Sequence, residues 1–195
     1  MQGTFSPWLS KTFTPNEAAA LAHLSTKQVR NELEHPILEL TSSTPPRLPF
    51  CALVYFHAVR LSGLSLSVSD RARMYRLIAE GLARTPPPEV VAFSPVLSLQ
   101  LGLITQDMAS KLTRFEAWKA TLITNPEVMA GEAHFSHSRL TVRHIGESLE
   151  QGESPGVLIE SHPELTPQDI EFSPLFVTAY PRVGRPRVED LAADL

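Results

Sequence analysis

The apolar residues near the start of the chain recur every three to four positions, which is typical of helices. In the stretch FTPNEAAALAHLSTKQVRNELEHPIL, two helix-start signals stand close together, and an apolar stripe follows each of them. Thr14 begins the first and Ser25 the second, each with a Glu or Gln three residues later that can complete a capping box. This pattern predicts two short helices joined by a tight turn, the elements of a helix-turn-helix, with His23 where the turn usually has glycine.

A stretch rich in proline and serine, ILELTSSTPPRLPF at 37–50, comes next, and two short apolar segments flank its turn residues. It predicts a β-hairpin, or wing, with Arg47 near its edge. The apolar run CALVYFHAVRL then indicates a buried helix, and DRARMYRLIAEGLAR indicates an amphipathic helix capped by Ser67 or Ser69. This order of elements resembles the winged helix-turn-helix domain of the MerR type over about residues 12–84. The resemblance implies DNA binding through the second helix of the pair.

Beyond the next cluster of prolines, the stretch EVVAFSPVLSLQLGL has the partial alternation of a strand, with apolar positions at Leu97, Leu99 and Leu101. Pro95 suits the edge of a sheet. The stretch that follows, TQDMASKLTRFEAWKATLI, has its apolar residues at helical spacing. We expect residues 85–122 to form a connecting layer, and nothing in them suggests chemistry.

The carboxyl-terminal part places several helix starts and stops within few residues. Thr141 is placed to cap one helix, and Gly152 is placed to end it in a left-handed conformation. Ser154 starts a second helix and Thr166 a third, and a proline directly follows each of them. Helices of two to three turns are not stable singly, so we expect these three to share a small core.

The segment NPEVMAGEAHFSHSRLTVRHIGESLEQGESPGVLIESHPELTPQDI resembles the antitoxin-associated domain of unknown function number four-three-three. The following AYPRVGRPR is similar to the basic ending of family members that carry an amino-terminal helix-turn-helix, so the resemblance covers roughly residues 123–187. Pro174 departs from the family's uninterrupted final helix, and we expect a break there, with Ser173 capping a new segment. The elements that carry the resemblance are Asn125-Pro126, Gly131, Ser138-Arg139-Leu140, Gly152 and His162-Pro163-Glu164-Leu165-Thr166.

Members of this family are antitoxins of bacterial type II toxin–antitoxin pairs, commonly encoded beside a PIN-like ribonuclease toxin. The resemblance implies a front that binds operator DNA and represses its own operon, and a back that forms a homodimer and binds the toxin. The expected fold class is mainly α with small β elements (α+β), a winged helix-turn-helix followed by a small helical bundle. The expected divisions are a DNA-binding domain at 1–84, the connecting layer at 85–122, a helical dimerisation and toxin-binding domain at 123–180 and an extended tail at 181–195.

The charge of the chain is unevenly distributed. Residues 1–120 carry 12 Lys and Arg against 9 Asp and Glu, a net charge of +3, whereas residues 121–195 carry 5 against 12, a net charge of −7. A polyanion such as DNA would contact the first part, and a basic protein surface would contact the second. Ordinary solvated faces would give the same balance, so charge alone does not decide between the two.

The composition, 43% hydrophobic and 19% charged residues, is that of a globular protein, and a single cysteine, Cys51, excludes an internal disulfide. The first residues, MQGTFSPWLSKTF, lack the basic flank and the apolar run of a secretion signal. No stretch approaches the roughly 18 consecutive apolar residues of a membrane span. These features predict a cytoplasmic protein without membrane contact.

The candidate DNA-binding residues lie on or near the exposed start of the second predicted helix, with one more on the predicted wing. Lysine and arginine suit phosphate or guanine contacts, while glutamine and asparagine suit adenine edges. The alternative is an ordinary polar helix face on a fold that serves only for packing. The set consists of Thr26, Lys27, Gln28, Arg30, Asn31 and Arg47.

The candidate toxin-binding residues lie near the end of the chain and are Tyr180, Arg182, Arg185 and Arg187. The resemblance implies a PIN-type toxin, whose active site is a cluster of acidic residues that holds a divalent metal. A guanidinium can pair with such a carboxylate through two parallel hydrogen bonds. The alternative is a solvated terminus without a partner.

The sequence contains no evident catalytic constellation. His134, His137 and His144, with Glu132 nearby, lack the spacing of metal ligands, and Cys51 is expected to be a small buried side chain. No phosphate-binding glycine loop, nucleophile elbow or paired-carboxylate motif occurs, so we expect no enzyme activity, no cofactor and no metal. Two other functions stay open, namely a stand-alone helix-turn-helix transcriptional regulator whose back half dimerises or senses a ligand, and an adaptor that binds protein but not DNA.

Overall fold

The computed structural model of the chain describes residues 6–38, 46–125 and 131–182, and its architecture is mainly α-helical with small β elements, as the sequence predicts. Four short strands form two antiparallel pairs, β1 (Thr12–Phe13) with β2 (Leu48–Pro49) and β3 (Val91–Ser94) with β4 (Leu97–Leu99). The α-helices of the described residues are α1 (Pro15–Ala22), α2 (Thr26–Glu34), α3 (Phe50–Ser62), α4 (Val68–Ala83), α5 (Leu101–Lys119), α6 (Val142–Glu150), α7 (Pro155–Ser161) and α8 (Pro167–Ala179).

Most helices begin at the residues that the helix-start signals predict. The Thr14 hydroxyl accepts a hydrogen bond from the Glu17 amide, and a Glu17 carboxylate oxygen accepts one from the Thr14 amide, at 3.1 and 2.7 Å. Ser25 and Gln28 form the same box at the start of α2. His23 has a φ of 51° and closes α1 in the left-handed conformation, so the turn between α1 and α2 is as tight as predicted. Side-chain caps also begin α4, α6, α7 and α8, at Ser67, Thr141, Ser154 and Thr166, whereas α3 and α5 begin without one.

The predicted hairpin across 37–50 is wrong for the residues that the structure describes. β2 pairs with β1, with Phe13 opposite Leu48, and not with the apolar residues that follow α2. Ile37 lies in a turn and is buried, while residues 39–45 lie outside the described part of the chain. β1, which precedes the helix pair, is the partner of β2 because this pairing adds the buried aromatic side chain of Phe13 to the ladder.

The stretch predicted as a strand through Leu101 forms a hairpin instead, with Pro95 in the turn between β3 and β4, and it ends before Leu101. β4 stops at Leu99, and α5 begins at Leu101, whose side chain is 1% exposed. The alternation of Leu97, Leu99 and Leu101 fits one continuous strand. It fits equally well a strand that ends at Leu99 and is followed by a helix that begins at Leu101. The Gly102 amide donates to the Glu89 carbonyl at 3.0 Å, which fixes the first turn of α5 beside the residues that precede β3.

The break expected at Pro174 is also wrong, because α8 continues without interruption from Pro167 to Ala179. The Ser173 hydroxyl, expected to cap a new helix, instead donates to the Asp169 carbonyl at 2.5 Å. Phe172 and Leu175 on either side of the proline are buried. Burying two such side chains contributes about 3–6 kcal/mol, which offsets the roughly 3 kcal/mol that an interior proline costs a helix.

The buried apolar residues, from Trp8 to Ala179, form one continuous cluster. Its centre is α3, which packs against α1, α4 and α5, and α8 packs in turn against α1, α5 and α6. The helix pair at the front of the chain therefore shares its core with the last described helix. The domain boundaries expected at 84, 122 and 180 stay predictions.

Candidate functional site

The second helix of the pair turns one polar face to solvent. Val29 in α2 is fully buried, and this places the candidate DNA-binding side chains on the opposite face. Thr26 is half-buried, because it stands closest to the turn. The remaining candidates on this helix are exposed: Lys27, Gln28, Arg30 and Asn31.

These exposed side chains differ in their freedom to contact another molecule. Lys27, Arg30 and Asn31 make no hydrogen bond or ion pair to other residues within the described part of the chain. The Gln28 carbonyl oxygen accepts from the Ser25 amide at 2.8 Å and from the Ser25 hydroxyl at 2.9 Å. A two-point contact to adenine needs both the oxygen and the amide nitrogen of the side chain, so Gln28 could make one only by opening the cap of α2.

Arg47 directly precedes β2 and does not lie on α2. Its Nη2 donates to the Thr12 carbonyl at 2.7 Å, and its Nε donates to the Thr12 hydroxyl at 3.3 Å. The guanidinium is nevertheless exposed, beside the residues that lead into α1. Arg47 is thus fixed near the start of the first helix of the pair, where helix-turn-helix proteins contact the DNA backbone.

A buried carboxylate anchors α2 to the rest of the protein, and it is not among the residues singled out from the sequence. Glu32 is 9% exposed, accepts a hydrogen bond from the Tyr55 hydroxyl at 2.9 Å and pairs with the Arg71 guanidinium. Burial, and then the Glu32 charge, raise the pKa of the Tyr55 hydroxyl, which keeps it protonated and able to donate. The available signal was the position of Glu32, three residues after the buried Val29 on the same face of the helix.

The candidate toxin-binding residues that the structure describes are held by contacts within the chain. Tyr180 is half-buried, and its hydroxyl donates to Glu17 Oε1 at 3.0 Å while accepting from Lys119 Nζ at 3.1 Å. Arg182 is exposed and donates through Nε to Glu132 Oε1 at 3.0 Å. Arg143 connects Tyr180 with the partner of Arg182. Its Nη2 donates to the Tyr180 carbonyl at 2.8 Å, and its Nε lies 3.3 Å from Glu132 Oε2. The other two candidates, Arg185 and Arg187, lie outside the described residues.

A small cavity of about 180 Å³ lies between β1, α1, α5 and the end of α8. Aromatic side chains line it, including Trp8, Phe13 and Phe115. Lys11 Nζ stands 4.7 Å from the centre of the Trp8 ring, close enough for a cation–π contact. The cavity is smaller than the several hundred Å³ that ligand pockets usually enclose, and Tyr180 with its hydrogen-bonded partners occupies one wall.

The histidines weighed as metal ligands are dispersed or otherwise engaged. His137 Nε2 lies 3.3 Å from Asp169 Oδ2, and Asp169 also accepts from the Trp118 indole at 2.8 Å and from the amide and hydroxyl of Thr166. His144 is exposed on α6. Within residues 6–38, 46–125 and 131–182, no three His, Cys, Asp or Glu side chains are grouped so that they could hold a metal ion. Asp169 therefore ties α5 and α8 to the loop before α6.

The sequence predicts a small buried side chain at Cys51; the structure places it partly buried, with its Sγ 3.6 Å from the Tyr75 hydroxyl. Burial raises the pKa of the Cys51 thiol, so the reactive thiolate is disfavoured at neutral pH. The role that the structure gives to Cys51 is therefore a packing contact between α3 and α4.

The segment that contains α6, α7 and most of α8 is similar to a known family. Residues 123–176 match the family model described as Protein of unknown function (DUF433). The resemblance inferred from the sequence is confirmed for this DUF433 segment, a little over a quarter of the chain, and the match ends before Tyr180 and the tail. No curated protein and no solved structure matches the chain. None of the helices in the described part of the chain combines the length and the apolar character that crossing a membrane requires.

Proposed function

We propose that this chain is the antitoxin of a type II toxin–antitoxin pair, which binds a cognate toxin through its DUF433 segment and tail and represses its own operon by binding DNA. The observation that carries the proposal is the joint presence of the DUF433 segment and a capped helix pair. The second helix of this pair exposes cationic and amide side chains that have no partner in the described part of the chain. The resemblance of residues 123–187 to antitoxin-associated sequences supports the same function.

DNA binding is assigned to α2 and to Arg47, which precedes β2. Arg30 and Asn31 are exposed and have no partner in the described part of the chain, so they are free to contact base edges, and Lys27 is free to contact a phosphate. Thr26 and Gln28 belong to the capped start of α2, and the dipole of the helix favours an anion such as a phosphate at this end. Arg47 contributes a phosphate contact near the start of α1.

Toxin binding is assigned to the residues that follow α8. Tyr180 is fixed by Glu17, Lys119 and Arg143, so it sets the point from which the tail leaves the protein. Arg182 would exchange its hydrogen bond to Glu132 for a contact with an acidic group of the toxin. Arg185 and Arg187 would add further positive charge to this contact. A PIN-like ribonuclease suits these arginines, because its metal site is a cluster of carboxylates that a guanidinium can pair with. We propose a homodimer in the cytoplasm that needs no cofactor.

Growth assays and DNA binding together test this function. The gene next to that of the chain is expressed alone and together with the chain, and the expected result is growth arrest that the chain relieves. A gel shift with the DNA upstream of the gene should show a complex that Arg30→Ala weakens. Arg84→Ala is the matched control, since Arg84 is exposed at the end of α4, about 20 Å along that helix from Arg71, which contacts α2.

The outcomes separate the proposed function from its alternatives. A gel shift without any effect on growth would identify a stand-alone regulator. Relief of growth arrest without a gel shift would identify an adaptor that binds protein only. A harmless neighbouring gene product together with no gel shift would contradict both halves of the proposal.

A further inference from the structure

A lysine of α5 lies against the turn between α1 and α2. Lys111 Nζ donates a hydrogen bond to the Leu21 carbonyl at 3.1 Å, in the last turn of α1. Leu21 stands two residues before His23, the left-handed residue that closes α1. A cation from a distant part of the chain is therefore fixed beside the turn that leads into the candidate DNA-binding helix.

An arginine of α3, Arg60, lies near the same turn between α1 and α2. His57 Nε2 is 2.6 Å from Asp107 Oδ2, and this bond aligns α3 with α5. Arg60 follows His57 by one turn of α3, and Lys111 follows Asp107 by one turn of α5, so both cations lie next to this bond. Desolvation and then the positive charges of Lys111 and Arg60 lower the pKa of His23 to about 4, as expected if the three side chains are neighbours.

Two carboxylates lie near Lys111 and differ in their partners. Asp107 accepts from His57, and Glu171 pairs with Arg114 on the next turn of α5. Burial lowers the pKa of His57, the partner of Asp107, so Asp107 keeps its negative charge beside Lys111, whereas Glu171 has a cationic partner. Within the described residues, Arg60 and Lys111 form no ion pair, and Arg60 is exposed. The Arg60 guanidinium therefore faces solvent beside the helix turn, while the half-buried Lys111 holds its ammonium group against the Leu21 carbonyl.

We infer that Arg60, Lys111 and His23, here called the turn platform, form a second contact to the DNA backbone, adjacent to the contact made by α2. This inference rests on the proposed DNA binding and specifies the phosphate-binding part of that same site. In helix-turn-helix complexes the second helix enters the major groove while the first helix crosses the backbone. Side chains beside the turn between them consequently face a phosphate.

The three residues contribute in different ways. Arg60 and Lys111 supply the charge, and each phosphate that they neutralise releases condensed counterions from the DNA. His23 is neutral at pH 7, because its pKa is about 4, so it can donate only one N–H hydrogen bond to a phosphate oxygen. Binding through the turn platform is thus independent of base sequence and sensitive to salt.

The test measures the affinity of the full chain for a labelled mixed-sequence DNA duplex, and for the DNA upstream of its gene, over a range of salt concentrations. Arg60→Gln and Lys111→Gln should each reduce the slope of log affinity against log salt by about 0.9 on both DNAs. Lys111→Arg should keep the wild-type slope, and so should Arg84→Gln, which removes a charge from the far end of α4. Circular dichroism checks that each variant is folded, and exposed Arg60 provides the variant least able to disturb the fold.

The failures of the two proposals can be told apart. If the wild-type chain binds neither DNA at low salt, the proposed DNA binding and the turn platform are both wrong. If Arg30→Ala weakens binding to the upstream DNA while Arg60→Gln and Lys111→Gln leave the slope unchanged, the turn platform alone is wrong. A slope reduced by Arg84→Gln as much as by Arg60→Gln would also overturn it, because the effect would then be one of total charge.

Discussion

The hydroxyl of Tyr180 donates a hydrogen bond to Glu17 Oε1 at 3.0 Å, and this bond joins the end of α8 to the start of α1. Glu17 Oε2 at the same time accepts from the Thr14 amide at 2.7 Å, so a single carboxylate caps the first helix of the pair and holds the last residue before the tail. The candidate DNA-binding and toxin-binding parts of the chain are therefore in direct contact.

Replacing Tyr180 by Phe tests the strength of this junction. The ring can still pack against Phe176, whose centre is 4.9 Å away, but Glu17 and Lys119 lose a hydrogen-bond partner in a partly buried place. We expect the free energy of unfolding in urea to fall by about 1–3 kcal/mol. Thr178→Val, which removes an exposed hydroxyl 3.4 Å from Glu150, is the control and should cost less than about 0.5 kcal/mol. Equal stabilities of the two variants would contradict the junction.

Gly146 sets the distance between α6 and α8. A Cβ at this position would lie 2.7 Å from the Ser173 carbonyl oxygen and 2.5 Å from Val177 Cγ2. Gly146→Ala should therefore lower the free energy of unfolding by about 1–3 kcal/mol, because the backbone of α8 must move. Gly156→Ala in α7 is the matched control, since its nearest neighbour would be 3.9 Å away, and it should be neutral or stabilising. A destabilisation of the same size in both variants would show that the close approach is unimportant.

The pair of Glu32 and Arg71 should stabilise the position of α2. Among the described residues, Arg71→Met leaves the Glu32 carboxylate with only the Tyr55 hydroxyl as a partner, and we expect a loss of about 3 kcal/mol in unfolding free energy. The double variant Arg71→Met with Glu32→Gln should recover most of that loss, because no unpaired buried charge remains. Additive losses in the double variant would show that the two side chains do not interact.

His23 should make the stability of the protein dependent on pH in the acid range. Its folded-state pKa is about 4, below the ordinary value of 6.5, so the unfolded chain binds more protons than the folded protein between these values. Stability is therefore highest above pH 6.5 and falls as the pH is lowered towards 4. The buried His57 acts in the same direction, because burial lowers its pKa as well.

The variant His23→Asn isolates this effect, since asparagine tolerates the left-handed conformation and does not titrate. Urea unfolding at a series of pH values should show a shallower loss of stability between pH 6.5 and 4 than in the wild type. Identical pH profiles for the two proteins would rule out a lowered pKa at His23.

The helix starts could be predicted from the sequence, because a cap is a contact between residues three positions apart. Thr14, Ser25 and Thr166 needed no knowledge of the tertiary structure. Three features depend instead on burial against distant elements: the partner of β2, the first residue of α5 and the continuity of α8 at Pro174. The local sequence pattern around each of them was compatible with a different structure. Tertiary packing decided all three.

The candidate site was predictable to the same extent. The inward position of Val29 indicates which side chains of α2 are exposed, so Lys27, Arg30 and Asn31 could be found from periodicity alone. The engagement of Gln28 in the cap was visible in the sequence as well, because the same residue completes the capping box. Contacts such as those of Glu32 with Arg71 and of Lys111 with Leu21 join residues far apart in the chain, and no local pattern indicates them.

Co-purification of the chain with the product of the neighbouring gene tests the antitoxin function most directly. The two proteins are expressed together, the chain is captured through a tag, and the eluate is passed over a size-exclusion column. We expect both proteins in one peak at a constant ratio, and we expect the complex to weaken when residues 181–195 are deleted. Separate elution of the two proteins at micromolar concentration would contradict the function proposed for this chain.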